Sequence, residues 1–370
     1  MKRFRAPNEH EAGERSWVVV RAAYGAREPV TWPRRHARPL VAIALVAAAV
    51  AAVLSPPGRS VIHSLRKAVG VQNAETELFS LPTRGRLLVS GRGGAWIVNA
   101  DGSRRRLGAY RDAAFSPHGL YITATKRNEL VALDPKGNVR WTLPRRSPRF
   151  PTWTGSFTDT RIAYLAGGRL HVVAGDGTGD SVIERAARVA PAWRPGPGFV
   201  IAYARGATTI VRDIVTGAVL LRKPSDIPPR KLAWSSDGKL LLVFKPYATR
   251  VYNARGKAVA QDDPSDATFD RDAAFVGRTH EVVAVRAAGS PAGAGSSVFS
   301  LSTGRTLFRG TGVFNQLAWS PGGRWLLVSW PTANQWVFVR AGHPKRIVGV
   351  SRISPQFGGF PHLDGWCCGG

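Results

Sequence analysis

The chain has 370 residues and only two cysteines, Cys367 and Cys368, adjacent and near the C-terminus. That excludes a disulfide framework and a Cys-x-x-Cys metal pair, so cysteine usage does not fix the redox compartment. Two free thiols are the default for the pair, with a vicinal disulfide or an intermolecular bridge as alternatives. Eight histidines are scattered with no metal-ligand spacing. There is no Gly-x-Ser-x-Gly nucleophile elbow and no Gly-x-x-x-x-Gly-Lys-Ser/Thr phosphate loop. These absences remove the commonest hydrolase, nucleotide and metal chemistries, and the chain reads as a non-enzyme without a cofactor. Acidic residues are scarce as well: 24 Asp and Glu face 52 Lys and Arg, for a net charge of +28. Such an excess favours anionic partners, although lysine is rare beside arginine and Met1 is the only methionine, as a compositional bias would also produce.

Long hydrophobic runs are lacking except in one place. Residues 39–58 carry no charge, and Leu40 to Leu54 is wholly Ala, Val, Leu and Ile. That length just spans a hydrocarbon core of about 30 Å. A cleaved signal peptide fits less well, because 38 residues precede the run and no small-x-small site comes before Ser55. Arg27, Arg34, Arg35 and Arg38 flank it on the N-terminal side, against Arg59, Arg66 and Lys67 on the other. The charge asymmetry predicts a cytoplasmic N-terminus, with the rest of the chain outside the cell membrane.

What is abundant is repetition. Phe79, Phe115, Trp153, Trp193, Trp234, Phe275 and Trp319 are spaced by 36, 38, 40, 41, 41 and 44 residues. Turns follow several of them, at Ser116-Pro-His-Gly119, Ser235-Ser-Asp-Gly238 and Ser320-Pro-Gly-Gly323. A second glycine turn recurs about 23 residues after each aromatic, at Gly102, Gly137, Gly177, Gly217, Gly256, Gly304 and Gly342. A period near 40 with four short strands per unit predicts an all-β fold: a seven-bladed β-propeller of four-stranded antiparallel blades. One N-terminal transmembrane helix and a short cytoplasmic helix precede it. The clearest strands are Lys231 to Trp234, Lys239 to Phe244, Thr249 to Asn253 and Ala258 to Gln261, repeated in the last unit at Leu317 to Trp319, Trp325 to Trp330, Gln335 to Arg340 and Arg346 to Val350. Six blades would follow if Phe79 marked only a linker. The segment Phe360 to Cys368 resembles one more inner strand, with Trp366 47 residues after Trp319, and would pair into the first blade to close the ring. Ala288 to Ser297 lengthens the sixth unit as a Gly- and Ala-rich loop.

The predicted organisation is a basic cytoplasmic arm with an amphipathic helix (1–38), a signal-anchor (39–58), a juxtamembrane stem (59–74) and the propeller (75–370). The aromatics with their Ser-Pro-x-Gly turns make 75–370 resemble the TolB-type and WD-repeat-like propellers of bacteria. The resemblance implies the fold. TolB itself has an extra α/β domain and a cleaved signal peptide, neither evident in this sequence, so its envelope complex does not carry over. The arm, span and outer domain also resemble, in layout only, the single-pass anti-sigma regulators of bacteria; the zinc-binding variant of that family needs His and Cys ligands that this arm lacks.

Two surfaces are candidates for binding. The first is the propeller mouth, formed by the loops before each inner strand. Arg111-Asp112-Ala-Ala-Phe115 repeats as Arg271-Asp272-Ala-Ala-Phe275, and Lys231 and Gln316 fall in phase with the two aspartates. Such positions either present ligand-binding groups to a channel or register the strands through ion pairs. The second is the arm, where Trp17, Val20, Arg21 and Tyr24 share a helical stripe that could grip a cytoplasmic partner. The function expected is a membrane-anchored extracytoplasmic platform for a protein or an anionic envelope ligand, held in lipid by 39–58. The alternative is a transmembrane regulator whose arm binds a transcription factor. Asp176-Gly-Thr-Gly-Asp180 reads as a plain turn and not a calcium loop. Arg104-Arg-Arg106, Arg145, Arg146, Arg149 and Phe150 could serve nucleic acid, a partner disfavoured for a domain outside the membrane.

Overall fold

A computed structural model describes residues 74–75, 80–265, 268–288 and 295–368. The chain divides into two units, Met1–Ile62 and His63–Gly370, and the described residues all belong to the second. The arm with Trp17, Val20, Arg21 and Tyr24, the apolar run 39–58, most of the stem 59–74 and Phe79 lie outside the described residues. Among the described residues no helix is long and apolar enough to cross a membrane.

Glycine turns and β-rich runs divide the unit into seven sheets. A two-residue strand, β1 (Ala74–Glu75), comes first. Blade 1 takes β2 (Arg86–Gly91), β3 (Gly94–Val98) and β4 (Arg104–Gly108). Blade 2 is β5 (Ala113–Phe115), β6 (Ile122–Thr125), β7 (Glu129–Leu133) and β8 (Val139–Pro144). Blade 3 is β9 (Arg149–Gly155), β10 (Thr160–Ala166), β11 (Arg169–Ala174) and β12 (Ser181–Glu184). Blade 4 is β13 (Ala192–Trp193), β14 (Val200–Arg205), β15 (Thr208–Asp213) and β16 (Val219–Lys223). Blade 5 is β17 (Lys231–Trp234), β18 (Leu240–Phe244), β19 (Thr249–Asn253) and β20 (Ala258–Asp262). Blade 6 is β21 (Thr268–Phe275), β22 (Val282–Ala288), β23 (Gly295–Ser300) and β24 (Thr306–Thr311). Blade 7 is β25 (Leu317–Trp319), β26 (Trp325–Trp330), β27 (Gln335–Arg340) and β28 (His343–Ser351). A short helix, α1 (Ile353–Phe357), then leads to β29 (His362–Cys367).

The inner strand of blade 1 is β29, which pairs antiparallel with β2 so that Trp366 faces Leu87 and Cys367 faces Arg86. The chain therefore closes its own ring with its last strand, as the sequence suggests. The seven inner-strand aromatics are Phe115, Trp153, Trp193, Trp234, Phe275, Trp319 and Trp366, one per blade. The seventh marker is thus Trp366 in place of Phe79. The extra strand β1 pairs parallel with Gly349 and Val350 of β28 and gives blade 7 a fifth strand; two residues are too few for a pattern to reveal. The Gly- and Ala-rich insertion is shorter than the sequence suggests, because Ala288 ends β22 and Gly295 already opens β23.

The core is a set of walls between neighbouring blades. Continuous apolar second and third strands bury both faces, as in Leu326, Leu327 and Val328 against the blades on either side. The seam between blades 7 and 1 packs Leu87 and Val89 on Trp325, Phe338 and Trp366. Helix α1 adds Phe357, set edge-on to Trp96 at 5.8 Å. Inner-strand indoles also stitch blades together: Trp193 Nε1 donates to Thr152 O at 3.2 Å and Trp234 Nε1 to Ala192 O at 3.1 Å. The smallest wall lies between blades 2 and 3, where Leu130 meets Ile162, Tyr164, Ala166 and Val173.

Candidate functional site

The mouth positions converge at the starts of the inner strands, and most of their polar groups are spent on neighbouring blades. Asp112 accepts from Arg149 Nε at 2.8 Å and from Phe150 N at 3.4 Å, both in blade 3. Phe150 sits in the left-handed region at φ 53°, a conformation a bulky residue adopts only when its surroundings impose it. Asp272 accepts from Lys231 Nζ of blade 5 at 2.7 Å and from Leu317 N of blade 7 at 2.8 Å. Gln316 accepts through Oε1 from Leu363 N of blade 1 at 3.0 Å. Asp112, Asp272 and Gln316 thus repeat one device: a side chain at the start of an inner strand takes the backbone N–H of the next. Arg111 and Arg271 stay out of it. Arg111 is exposed, and Arg271 lies over the Phe269 ring at 4.9 Å.

Sequence reasoning missed the blade 1 contribution. Gln316 Nε2 lies 2.7 Å from His362 Nε2, and His362 Nδ1 lies 3.1 Å from Asp364 Oδ1. With Gln316 Oε1 already held by Leu363 N, its amide donates to Nε2, so His362 carries its proton on Nδ1 and donates to Asp364. Ser90 Oγ gives Asp364 a further hydrogen bond at 3.0 Å. Burial pushes the Asp364 carboxyl up to about 6. His362 is also raised: burial opposes its charge, but the bond to Asp364 and the carboxylates of Asp364, Asp112 and Asp272 outweigh it. The phase could not have found Asp364, because the position three residues before the closing aromatic Trp366 is Leu363, and a register shift sets the closing strand off by one.

A second polar knot was also missed. In blade 3 the Tyr164 hydroxyl donates to Asp180 Oδ1 at 2.6 Å, His171 Nδ1 lies 3.1 Å from Asp180 Oδ2, and Arg145 Nε donates from blade 2 at 3.0 Å. Burial opposes the Asp180 charge, yet these partners hold its carboxyl below the usual range. Burial followed by the Asp180 hydrogen bond raises Tyr164. Asp176, four residues earlier, makes the expected turn by accepting from Thr178 N at 2.9 Å. Of the arginines considered for nucleic acid, Arg145 and Arg149 are therefore committed to aspartates.

A cleft of about 510 Å³ opens between blades 2 and 3, above the smallest wall. It lies at the ends of the inner strands, on the face opposite the mouth. Trp141 and Trp153 line it, and Trp141 Nε1 donates across the junction to Gly175 O at 3.0 Å. Gly177 (φ 89°) passes under Trp141 so closely that a Cβ there would meet the indole at 2.9 Å. At the roof, the rings of His118 and Phe157 stack at 3.5 Å with 6° between planes. The blade 2 turn carrying His118 is braced from blade 1 by Arg86, which donates to Gly119 O at 2.7 Å. Beside that turn Cys367 and Cys368 are joined as a vicinal disulfide in place of the two free thiols expected; Cys367 ends the closing strand and Cys368, at φ 61°, turns out of it. Among the described residues no group of three or more His, Cys, Asp or Glu could hold a metal ion.

The closed ring of seven blades, each built on four antiparallel strands with β1 added to blade 7, defines the class: a WD40-like β-propeller. No family model matches the chain, and no curated relative does. Solved structures do. The C-terminal WD40 domain of Sif2 has TM-score 0.54 and 14% identity, covering 76% of this chain and 87% of that one. The Neurospora crassa Pan2 WD40 domain has TM-score 0.50 and 12% identity, covering 65% and 78%. Kuenenia stuttgartiensis hydrazine synthase has TM-score 0.52 and 14% identity, covering 62% and 76%. At such identities the likeness shows the fold alone.

Proposed function

We propose that the protein is an interaction platform: a non-enzymatic propeller held at the outer surface of the cell membrane by residues 39–58. One observation carries the platform reading. Most polar groups of the mouth, those of Asp112, Lys231, Asp272 and Gln316, are spent on joining blades, while the aromatic groups of His118, Tyr121 and Phe157 stand exposed at the opposite face. A ring that commits most of its mouth groups to its own blades and turns aromatics outward is built to hold a partner. The anchored, extracytoplasmic part rests on the apolar run and its flanking arginines. So does the envelope setting of an anionic ligand, with the net charge of +28 behind it. The regulator alternative rests on Trp17, Val20, Arg21 and Tyr24 alone.

Labelling of intact cells with a membrane-impermeant amine reagent tests the placement. Lys136 and Lys239, both exposed on the propeller, are expected to react while Lys2 reacts only after lysis. Labelling of Lys2 alone in intact cells would reverse the topology. Specific retention of a cytosolic protein by residues 1–38, lost in a Trp17→Ala, Tyr24→Ala double variant, would put the regulator reading first.

A further inference from the structure

We infer that the cleft between blades 2 and 3 is a binding site for a neutral saccharide. The repeat supplies an internal control. The same junction between blades 6 and 7, beside Val276, Leu307 and Trp319, holds only about 70 Å³. At blades 2 and 3 the space is about 510 Å³, within the usual size of a small-ligand pocket. The hairpin after each inner strand shows a second departure. Its tip is Pro117-His118 in blade 2, Ser236-Asp237 in blade 5, Gly277-Arg278 in blade 6 and Pro321-Gly322 in blade 7. In blade 3 it is Phe157, 75% exposed. No turn needs phenylalanine there, and the blade core does not use it.

The chemistry of the walls selects the ligand. Trp141, Trp153, Tyr121 and the His118–Phe157 stack line the cleft with aromatic surface, which suits the apolar C–H face of a sugar ring. Arg140, Arg161, Asp159, Asp176 and the hydroxyl of Thr158 also line the cleft. They supply the donors and acceptors that sugar hydroxyls need. Two arginines balance two aspartates, and both arginines are already paired: Arg140 with Asp134 at 3.0 Å and Arg161 with Asp159 at 3.1 Å. With its charges balanced and paired, the cleft offers no net charge to draw a strongly anionic or cationic ligand. The turns of the wall offer an extended peptide no pairing, since Ser116 N bonds Tyr121 O, Ser156 N bonds Asp159 O and Gly175 N bonds Thr160 O; the strand edge beside the cleft is β8, the outer strand of blade 2 that carries Arg140 and Trp141.

This inference rests on the platform reading and names for the cleft a neutral ligand in place of the anionic one that the net charge favours. The full chain, in a detergent without sugar headgroups, is titrated by calorimetry with chitotriose, cellotriose and maltotriose, and with trigalacturonate as the anionic counterpart. At least one neutral trisaccharide is expected to bind saturably. Phe157→Ala should weaken it about tenfold or more with the melting temperature unchanged, and Tyr121→Ala should act in the same direction. The inference is overturned if no neutral trisaccharide binds up to about 10 mM. It is equally overturned if only trigalacturonate binds, or if both variants bind as the parent does. Failure of the platform reading would look different: turnover of a bound sugar, lost on Asp159→Asn, would make the same cleft an active site.

Discussion

Ring closure by the last strand can be tested at Trp366. Its side chain is buried at the seam between blades 7 and 1, edge-on to Phe338 at 5.7 Å, and its strand partner is Leu87. Replacing a buried tryptophan by alanine costs about 3–5 kcal/mol, the lost transfer energy plus the cavity left behind. Deleting the chain from Gly359 onward removes buried Leu363 as well. Two such truncations together cost about 5–10 kcal/mol, against a total stability of about 5–15 kcal/mol for a folded domain. The deletion also exposes the inner edge of β2 to other chains. Trp366→Ala should therefore lower the melting temperature by about 6–15 °C, and the deletion should leave an aggregating chain without a cooperative transition. Differential scanning calorimetry reads both. A deletion that melts within about 2 °C of the parent would refute the closure.

Stability should fall as pH rises from 5 to 8. Burial, with Asp262 as neighbour, pushes the Asp270 carboxyl up to about 7, and burial takes Asp364 to about 6. Both keep protons that the unfolded chain releases near pH 4, so their contribution is complete below that pH and is lost through 6 and 7. Asp180 and Glu184, held low by their partners, act in the opposite sense and only as pH falls below the ordinary carboxylate range. Melting temperatures across this window should decline, and Asp364→Asn should flatten the slope; a rise would contradict the assignment. Asp180→Ala strands Tyr164 and Arg145 at the smallest wall and should cost about 2–4 kcal/mol, read by chemical denaturation, whereas Asp176→Ala in the exposed turn should change stability by less than about 1 kcal/mol.

The blades were legible because their signals are local. Lys231–Trp234 and Thr249–Asn253 form strands with the bounds their alternation and turns give. The mouth was half legible. Asp112 and Asp272 stand out by phase, but their partners lie 37 and 45 residues away, and no local pattern links an aspartate to a backbone N–H of the next blade. The cleft was invisible because it arises between blades: nothing in a short window says that the wall around Leu130 will have the fewest buried apolar side chains. Phe157 drew no notice in the sequence, because a single aromatic in one hairpin breaks no repeat: the tips of the other blades already vary from Pro321-Gly322 to Pro117-His118 and Gly277-Arg278.

The central claim is a division of labour, with the mouth joining blades and the cleft holding the ligand. Melting temperature and trisaccharide affinity, measured together on Asp272→Ala and Phe157→Ala, test it most directly. Asp272→Ala leaves Leu317 N without its acceptor and Lys231 without its partner. It should cost about 2–4 kcal/mol of stability and leave affinity unchanged, while Phe157→Ala should do the reverse. Loss of affinity in Asp272→Ala with an unaltered melt would contradict the account and return the binding site to the mouth.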